Sequence, residues 1–240
     1  MRKNLDKIFK KFSKENDIEA YQMLKKRWDI NKLNYDMIKD KVILDVGSGS
    51  GRYSLALNKM GAKEVISIDI FKNERDFPKQ IKYIKTNLSK LPFKDNTFDF
   101  IFCNGSLSHS LKWKKDILEY KRVLKSKGWM WLNLLGEGPH WKHADNLRHK
   151  LTKKDSENFQ KALELRGWEA NKIFFLLDVF FTDRIYLTKK KIKSYLLLAK
   201  FKNVKFLNRG YKTDLSELIF KNPKLKLKYG EGEIRLVCQK

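Results

Sequence analysis

The stretch Asp45-Val-Gly-Ser-Gly-Ser-Gly51 has the residue types to hold a ligand on its backbone. Glycines at 47, 49 and 51 let the chain turn sharply out of a strand, since glycine tolerates positive φ, and they leave room for a ligand beside Ser48. Dinucleotide loops of the form G-x-G-x-x-G set pyrophosphate on a helix N-terminus. Here the third glycine comes one residue sooner, and an acid, Asp45, precedes the loop by two. An acid there suits a ligand bearing an ammonium rather than a diphosphate. Asp69 lies 18 residues after Gly51 and closes the next apolar run. A carboxylate there can accept from both hydroxyls of a ribose. The plainer roles are a tight strand–helix turn for the loop and a helix N-cap for Asp69.

Strand ends must carry these groups, and the hydrophobic pattern supplies them. Short apolar runs at 42–46, 65–69, 81–84, 98–103 and 129–134 read as strands, with helical spacing at 53–60 and 114–124 and a turn at Gly128. Such alternation predicts an α/β fold of the Rossmann-like, doubly wound kind, whose ligands sit at the carboxyl ends of the strands. Residues 136–185 break the alternation. They hold a helical stretch near 155–167 and an apolar run at 173–181 interrupted by Asp178, and they read as an inserted lid over the carboxyl edge. A helix at 189–200 and strands at 203–207 and 233–239 complete a mostly parallel seven-stranded sheet with an antiparallel end. The first 40 residues, with Leu5, Ile8, Phe9 and Phe12 at helical spacing, predict a helical cover. The expectation is one domain: cover 1–40, ligand-binding core 41–135, lid 136–185, and the rest of the sheet 186–240.

The loop 45–51, Asp69, Asn87-Leu-Ser-Lys-Leu-Pro-Phe93, Asp95-Asn-Thr-Phe-Asp-Phe100 and Lys121-Arg-Val-Leu-Lys125 with Gly128 resemble class I S-adenosylmethionine-dependent methyltransferases. The similarity is to their small-molecule, methyltransferase-11-like branch, and covers residues 42–134 before resuming around 184–207. It implies S-adenosylmethionine as cofactor and S-adenosylhomocysteine as product. By that resemblance Gly47, Ser48, Gly49 and Gly51 face the methionine part, with Asp45 supporting the site near its ammonium. Asp69 holds the ribose, Ile70 lies against the adenine, and Asn87 and Leu88 sit at the adenine edge. Asn104, Gly105 and Ser106 lie beside the methyl-donor end. The family usually has an acid where this chain has Asn87. Enzymes that methylate base amines commonly carry Pro-Pro and an aromatic after the position of Asn104, where this chain reads Gly-Ser-Leu.

Transfer from a sulfonium needs a base only where the acceptor must lose a proton. His109 is the catalytic candidate, because imidazole titrates near neutrality, and a packed structural histidine is its plainer role. His140, Trp141 and His143 in the insertion are candidates for the substrate wall. His140 and His143 have no third ligand spaced to make a metal site, and Cys103 and Cys238 belong to no metal or disulfide pattern. The net charge of +25 comes mainly from 43 Lys, against 10 Arg, spread along the chain. Dispersed Lys reads first as solvated helix faces. Clusters at 112–115, 150–154, 189–193 and 224–228 keep open an RNA methyltransferase, with nucleic acid as partner, and surface contact with a membrane. A third class is a non-catalytic cofactor-binding or membrane-associated protein. The leading expectation is a methyltransferase acting on a small-molecule acceptor in the cytoplasm, with no transmembrane segment.

Overall fold

The computed structural model describes residues 11, 12 and 14–240; Leu5, Ile8 and Phe9 of the expected N-terminal helix lie outside the described residues. Helix α1 spans Lys14–Ile30. The chain then runs through β1 (Val42–Val46), α2 (Arg52–Lys59), β2 (Glu64–Asp69), β3 (Ile81–Lys85), β4 (Phe98–Asn104), α3 (Trp113–Val123) and β5 (Leu124–Leu135). Three helices follow, α4 (Pro139–Arg148), α5 (Lys153–Leu165) and α6 (Ala170–Phe181), so the apolar run at 173–181 is helical. The chain closes with α7 (Lys189–Leu198), β6 (Lys202–Phe206), α8 (Leu215–Lys221), α9 (Lys226–Tyr229) and β7 (Glu233–Gln239).

The seven strands form one sheet in the order β3-β2-β1-β4-β5-β7-β6. β7 is antiparallel to both β5 and β6, and the other pairs are parallel. The order reverses between β1 and β4, which opens a crevice at their carboxyl ends. Strand alternation divides the core into two layers. Leu44, Ile66, Ile101 and Leu132 face α3 and α7, whereas Ile43, Val65, Phe100 and Trp131 face α1 and α2. Trp28 of α1 stacks on Trp131 at 5.7 Å, and Trp131 on Phe102 at 5.6 Å. Sheets buried on both faces read as continuous apolar runs, which is why the strands were visible in the sequence. β5 starts earlier than 129 because Leu124 already pairs with Phe98, ahead of a register shift between the two strands. Lys127 has φ +63°, and a Cβ on Gly128 would lie 2.9 Å from the carbonyl of Lys125. Among the described residues no helix is long and apolar enough to cross a membrane.

A buried charge cluster joins the two ends of the described chain beneath the sheet's edge. Arg27 of α1 grips Asp214 with two hydrogen bonds of 2.8 and 2.7 Å, and Arg235 of β7 lies 3.0 Å from the same carboxylate. Burial opposes ionisation of Asp214, but the two guanidiniums hold its carboxyl below the usual range. Removing the shared anion leaves two buried cations facing each other. Asp214→Asn is therefore expected to lower unfolding free energy by about 3–5 kcal/mol in urea melts, and a loss below about 1 kcal/mol contradicts this role.

Candidate active site

β1 delivers the chain into the glycine loop at the crevice. A Cβ on Gly47 would lie 2.2 Å from the Cβ of Ser106, and Gly47 has φ +70°, so both space and backbone demand glycine. Ser106 Oγ closes the junction by donating to the Val46 carbonyl at 2.7 Å. The N–H groups of Gly47 and Ser48 donate to the Ile68 carbonyl at 2.8 and 3.1 Å. Asp69 ends β2 and is buried; its carboxylate accepts from the N–H of Gly49 at 2.8 Å and of Phe71 at 3.1 Å. A carboxylate has about four acceptor directions, so anchoring the loop and meeting a diol can share one group.

Asp45 lies beneath the loop, buried, where Ser54 Oγ donates to it at 2.6 Å and Ser67 Oγ donates to Ser54 Oγ at 2.6 Å. Burial pushes its pKa up to about 7; Ser54 opposes the shift and the charge of Asp69 adds to it.

Above this floor lies a cavity of about 260 Å³. Gly47, Ser48, Gly49, Asp69, Ile70 and Leu88 line one end. Asn104, Gly105, Ser106 and His109 continue the wall from the end of β4. Phe12, Phe174, Phe175 and Asp178 close the far side, the last three from α6. Asp45 and Gly51 are not among the lining residues: Asp45 sits below the loop, and Gly51 packs under the Phe77 ring. Nor is Asn87, which is exposed and whose Oδ1 takes the Ser89 N–H at 2.9 Å. Its amide is turned to its own chain.

The histidines of the insertion also lie elsewhere. His140 packs between Trp141 and Tyr229 at 5.2 Å from each; burial, Lys228 and His143 lower its pKa. Trp141 is buried with Ala144 and Val179, and His143 is exposed. None of the three lines the cavity, and α6 supplies the wall instead.

The sequence reading missed Asp178, Thr182, Arg184 and Asn133. His109 Nδ1 lies 3.0 Å from the Asp183 carbonyl, and its Nε2 lies 3.3 Å from Asp178 Oδ1. Both ring nitrogens thus face oxygen atoms of the segment 178–183. Thr182 Oγ1 lies 3.0 Å from Asp178 Oδ1. Arg184 Nη2 is 2.5 Å from Asp178 Oδ2, an ion pair without hydrogen-bond alignment. A signal existed: Phe174, Asp178 and Thr182 repeat every four residues, placing one acid on the face of an otherwise apolar helix. Asn133, opposite Asn104 in the β4–β5 register, lines the cavity with a buried Oδ1 that has no hydrogen-bond partner among the described residues. Nothing in its sequence context marks it.

Comparison with known proteins now adds to this geometry. Residues 44–132 match the family model described as a methyltransferase domain. An uncharacterized protein of Methanocaldococcus jannaschii is 30% identical over 200 residues, 82% of this chain and 79% of its own. The chain belongs to the class I S-adenosylmethionine-dependent methyltransferases. The methyltransferase is also 27% identical to the tRNA U34 carboxymethyltransferase of Nautilia profundicola, over 80% of this chain and 57% of that protein. Its fold matches that of 1,6-didemethyltoxoflavin-N1-methyltransferase of Burkholderia thailandensis, solved with its substrate and S-adenosylhomocysteine. That match has a TM-score of 0.52, 14% identity, and coverage of 84% of this chain and 72% of the other.

Asp45 gives the methyltransferase a pH signature. With the folded-state pKa raised to about 7, the folded protein holds a proton that the unfolded chain loses near the ordinary value, so this group's contribution to stability falls as pH rises. Relative to the wild type, Asp45→Asn is expected to gain about 2–3 kcal/mol between pH 5 and pH 8 in urea unfolding. A pH-independent difference contradicts the raised pKa.

Proposed function

We propose that this methyltransferase acts on an O or N atom of a small-molecule metabolite held between the glycine loop and α6. The residues fit the cofactor: a cradle at Gly47 that a Cβ would fill, a buried carboxylate at Asp69, apolar surface at Ile70 and Leu88, and the orphaned acceptor on Asn133. Asp69 takes the ribose, Ile70 and Leu88 the adenine, and the loop backbone from Gly47 to Gly49 the methionine part. Asn104, Gly105 and Ser106 lie beside the methyl-donor end. When bound, the cofactor would supply an already activated sulfonium methyl, with the neutral thioether of S-adenosylhomocysteine as the leaving group.

The chain's own work is alignment and exclusion of water. Phe174 and Phe175 supply an apolar wall, and the cluster of His109, Asp178, Thr182 and Arg184 fixes the polar part of the acceptor. A neutral His109 can take a proton from a hydroxyl acceptor by turning Nε2 from Asp178. An amine that reacts through its neutral form needs no such turn.

The observation that carries the small-molecule reading is the lid's charge. Residues 136–185 hold nine Lys and Arg against eight Asp and Glu, while residues 186–240 hold fifteen against four. A polyanion gains little attraction from the segment that covers the cavity. The likeness to tRNA carboxymethyltransferases supports RNA as the second reading.

Incubation with methyl-labelled S-adenosylmethionine, a metabolite extract and bulk tRNA separates them. The label is expected in the low-mass fraction; incorporation into tRNA alone overturns the small-molecule reading. By calorimetry, Asp69→Ala is expected to weaken cofactor binding about 30-fold, the loss of roughly 2 kcal/mol from hydrogen bonds to a charged group. Unchanged affinity removes the ribose role.

A further inference from the structure

The charge missing from the lid gathers in part over the opposite layer of helices. α3 and α7 lie side by side there. Trp113 meets Tyr195 edge-on at 5.0 Å, the Tyr195 hydroxyl donates to the Lys114 carbonyl at 2.8 Å, and Lys121 Nζ donates to the Ala199 carbonyl at 2.6 Å. Leu118 follows Lys114 by one turn of α3 and precedes Lys121 by three residues, and Leu111 lies in the turn that leads into α3.

This pair of helices and the turn before α3 expose four leucines. Leu111 is 84% exposed, Leu118 50%, Leu197 52% and Leu198 78%. Lys112, Lys114, Lys115, Lys191, Lys193 and Lys200 are exposed around them. No arginine occurs in residues 111–121 or 189–202, and the acids there are Asp116 and Glu119. Asp116 is buried, and Glu119 is engaged by Arg122 at 2.7 Å and by the Leu91 N–H at 2.9 Å.

A single exposed leucine needs no explanation, whereas four on one helix pair and the turn leading into it, with six exposed lysines on the same segments, do. We propose that the α3–α7 face docks on an anionic phospholipid membrane, with the lysines at the lipid phosphates and the leucines in the boundary between headgroups and acyl chains. Two features favour lipid over a nucleic acid. Leucine has no hydrogen bond or π face to offer a base, and the fork of Arg122, the arginine of α3, is already taken by Glu119 and Asp95. The aromatic rings present, Trp113 and Tyr195, are spent on each other. Leu111 follows the cavity-lining His109 by two residues, so the face begins near the cavity's rim.

Co-sedimentation of the whole protein with vesicles tests this. Binding is expected to vesicles containing about one third phosphatidylglycerol and not to phosphatidylcholine alone, and to weaken with salt. Leu118→Ser with Leu198→Ser is expected to bind about tenfold more weakly, and Lys114→Glu with Lys191→Glu at least as weakly, with cofactor affinity and circular dichroism unchanged. Absence of binding to anionic vesicles overturns the proposal. So does binding that is indifferent to the leucines, or tRNA binding on this face that the leucine variant retains and that displaces the vesicles.

Discussion

The site depends on how closely β1 and β4 end against each other. The gap between Gly47 and Ser106 admits no side chain, and Ser106 fastens it by bonding to the carbonyl of Val46. This contact sits where the strand order reverses, so it fixes the floor of the crevice that any ligand must use. The glycine loop then has one place to go. Its amides bond to the end of β2, which brings Asp69 against Gly49 and makes one carboxylate both anchor and lining of the cavity. Asp45 is buried beneath the same junction, bonded by Ser54, and does not line the cavity.

Charge is distributed with a consistent division of labour. The buried cluster of Arg27, Asp214 and Arg235 ties α1 to β7, and Arg235 also pairs with Glu233, which lines the cavity. Tyr53, another lining residue, accepts from Arg27 at 3.1 Å. Distant parts of the chain are thus held in register with the cavity wall. Asp178 does the equivalent on the other side, joining the segment after β4 to α6 through His109 and Arg184. Among the described residues, the ion pairs of these two clusters involve arginine and histidine and no lysine.

The sheet was legible because its strands are apolar runs and because both faces are covered. The loop and Asp69 were legible because glycine spacing and an acid at a strand end have few physical uses. The far wall was not. His140, Trp141 and His143 drew attention by residue type, yet tertiary packing of Trp141 on Ala144 and Val179 holds them elsewhere. Asp178 looked like an interruption of an apolar run, and only the helical period of α6 reveals that it shares a face with Phe174 and Thr182. Asn87 was placed by its position in the chain, but its amide caps Ser89 instead of facing a ligand. Local chemistry marked the glycine loop and Asp69; long-range packing chose the residues that line the cavity's far side.

The most direct measurement of the central claim is a crystal structure of the protein with S-adenosylhomocysteine. The account predicts the ribose hydroxyls at the Asp69 carboxylate, the adenine between Ile70 and Leu88, and the sulfur pointing past Asn104 into space bounded by α6. Density for the nucleoside anywhere else, or a ribose that leaves Asp69 bonded to the loop alone, contradicts it.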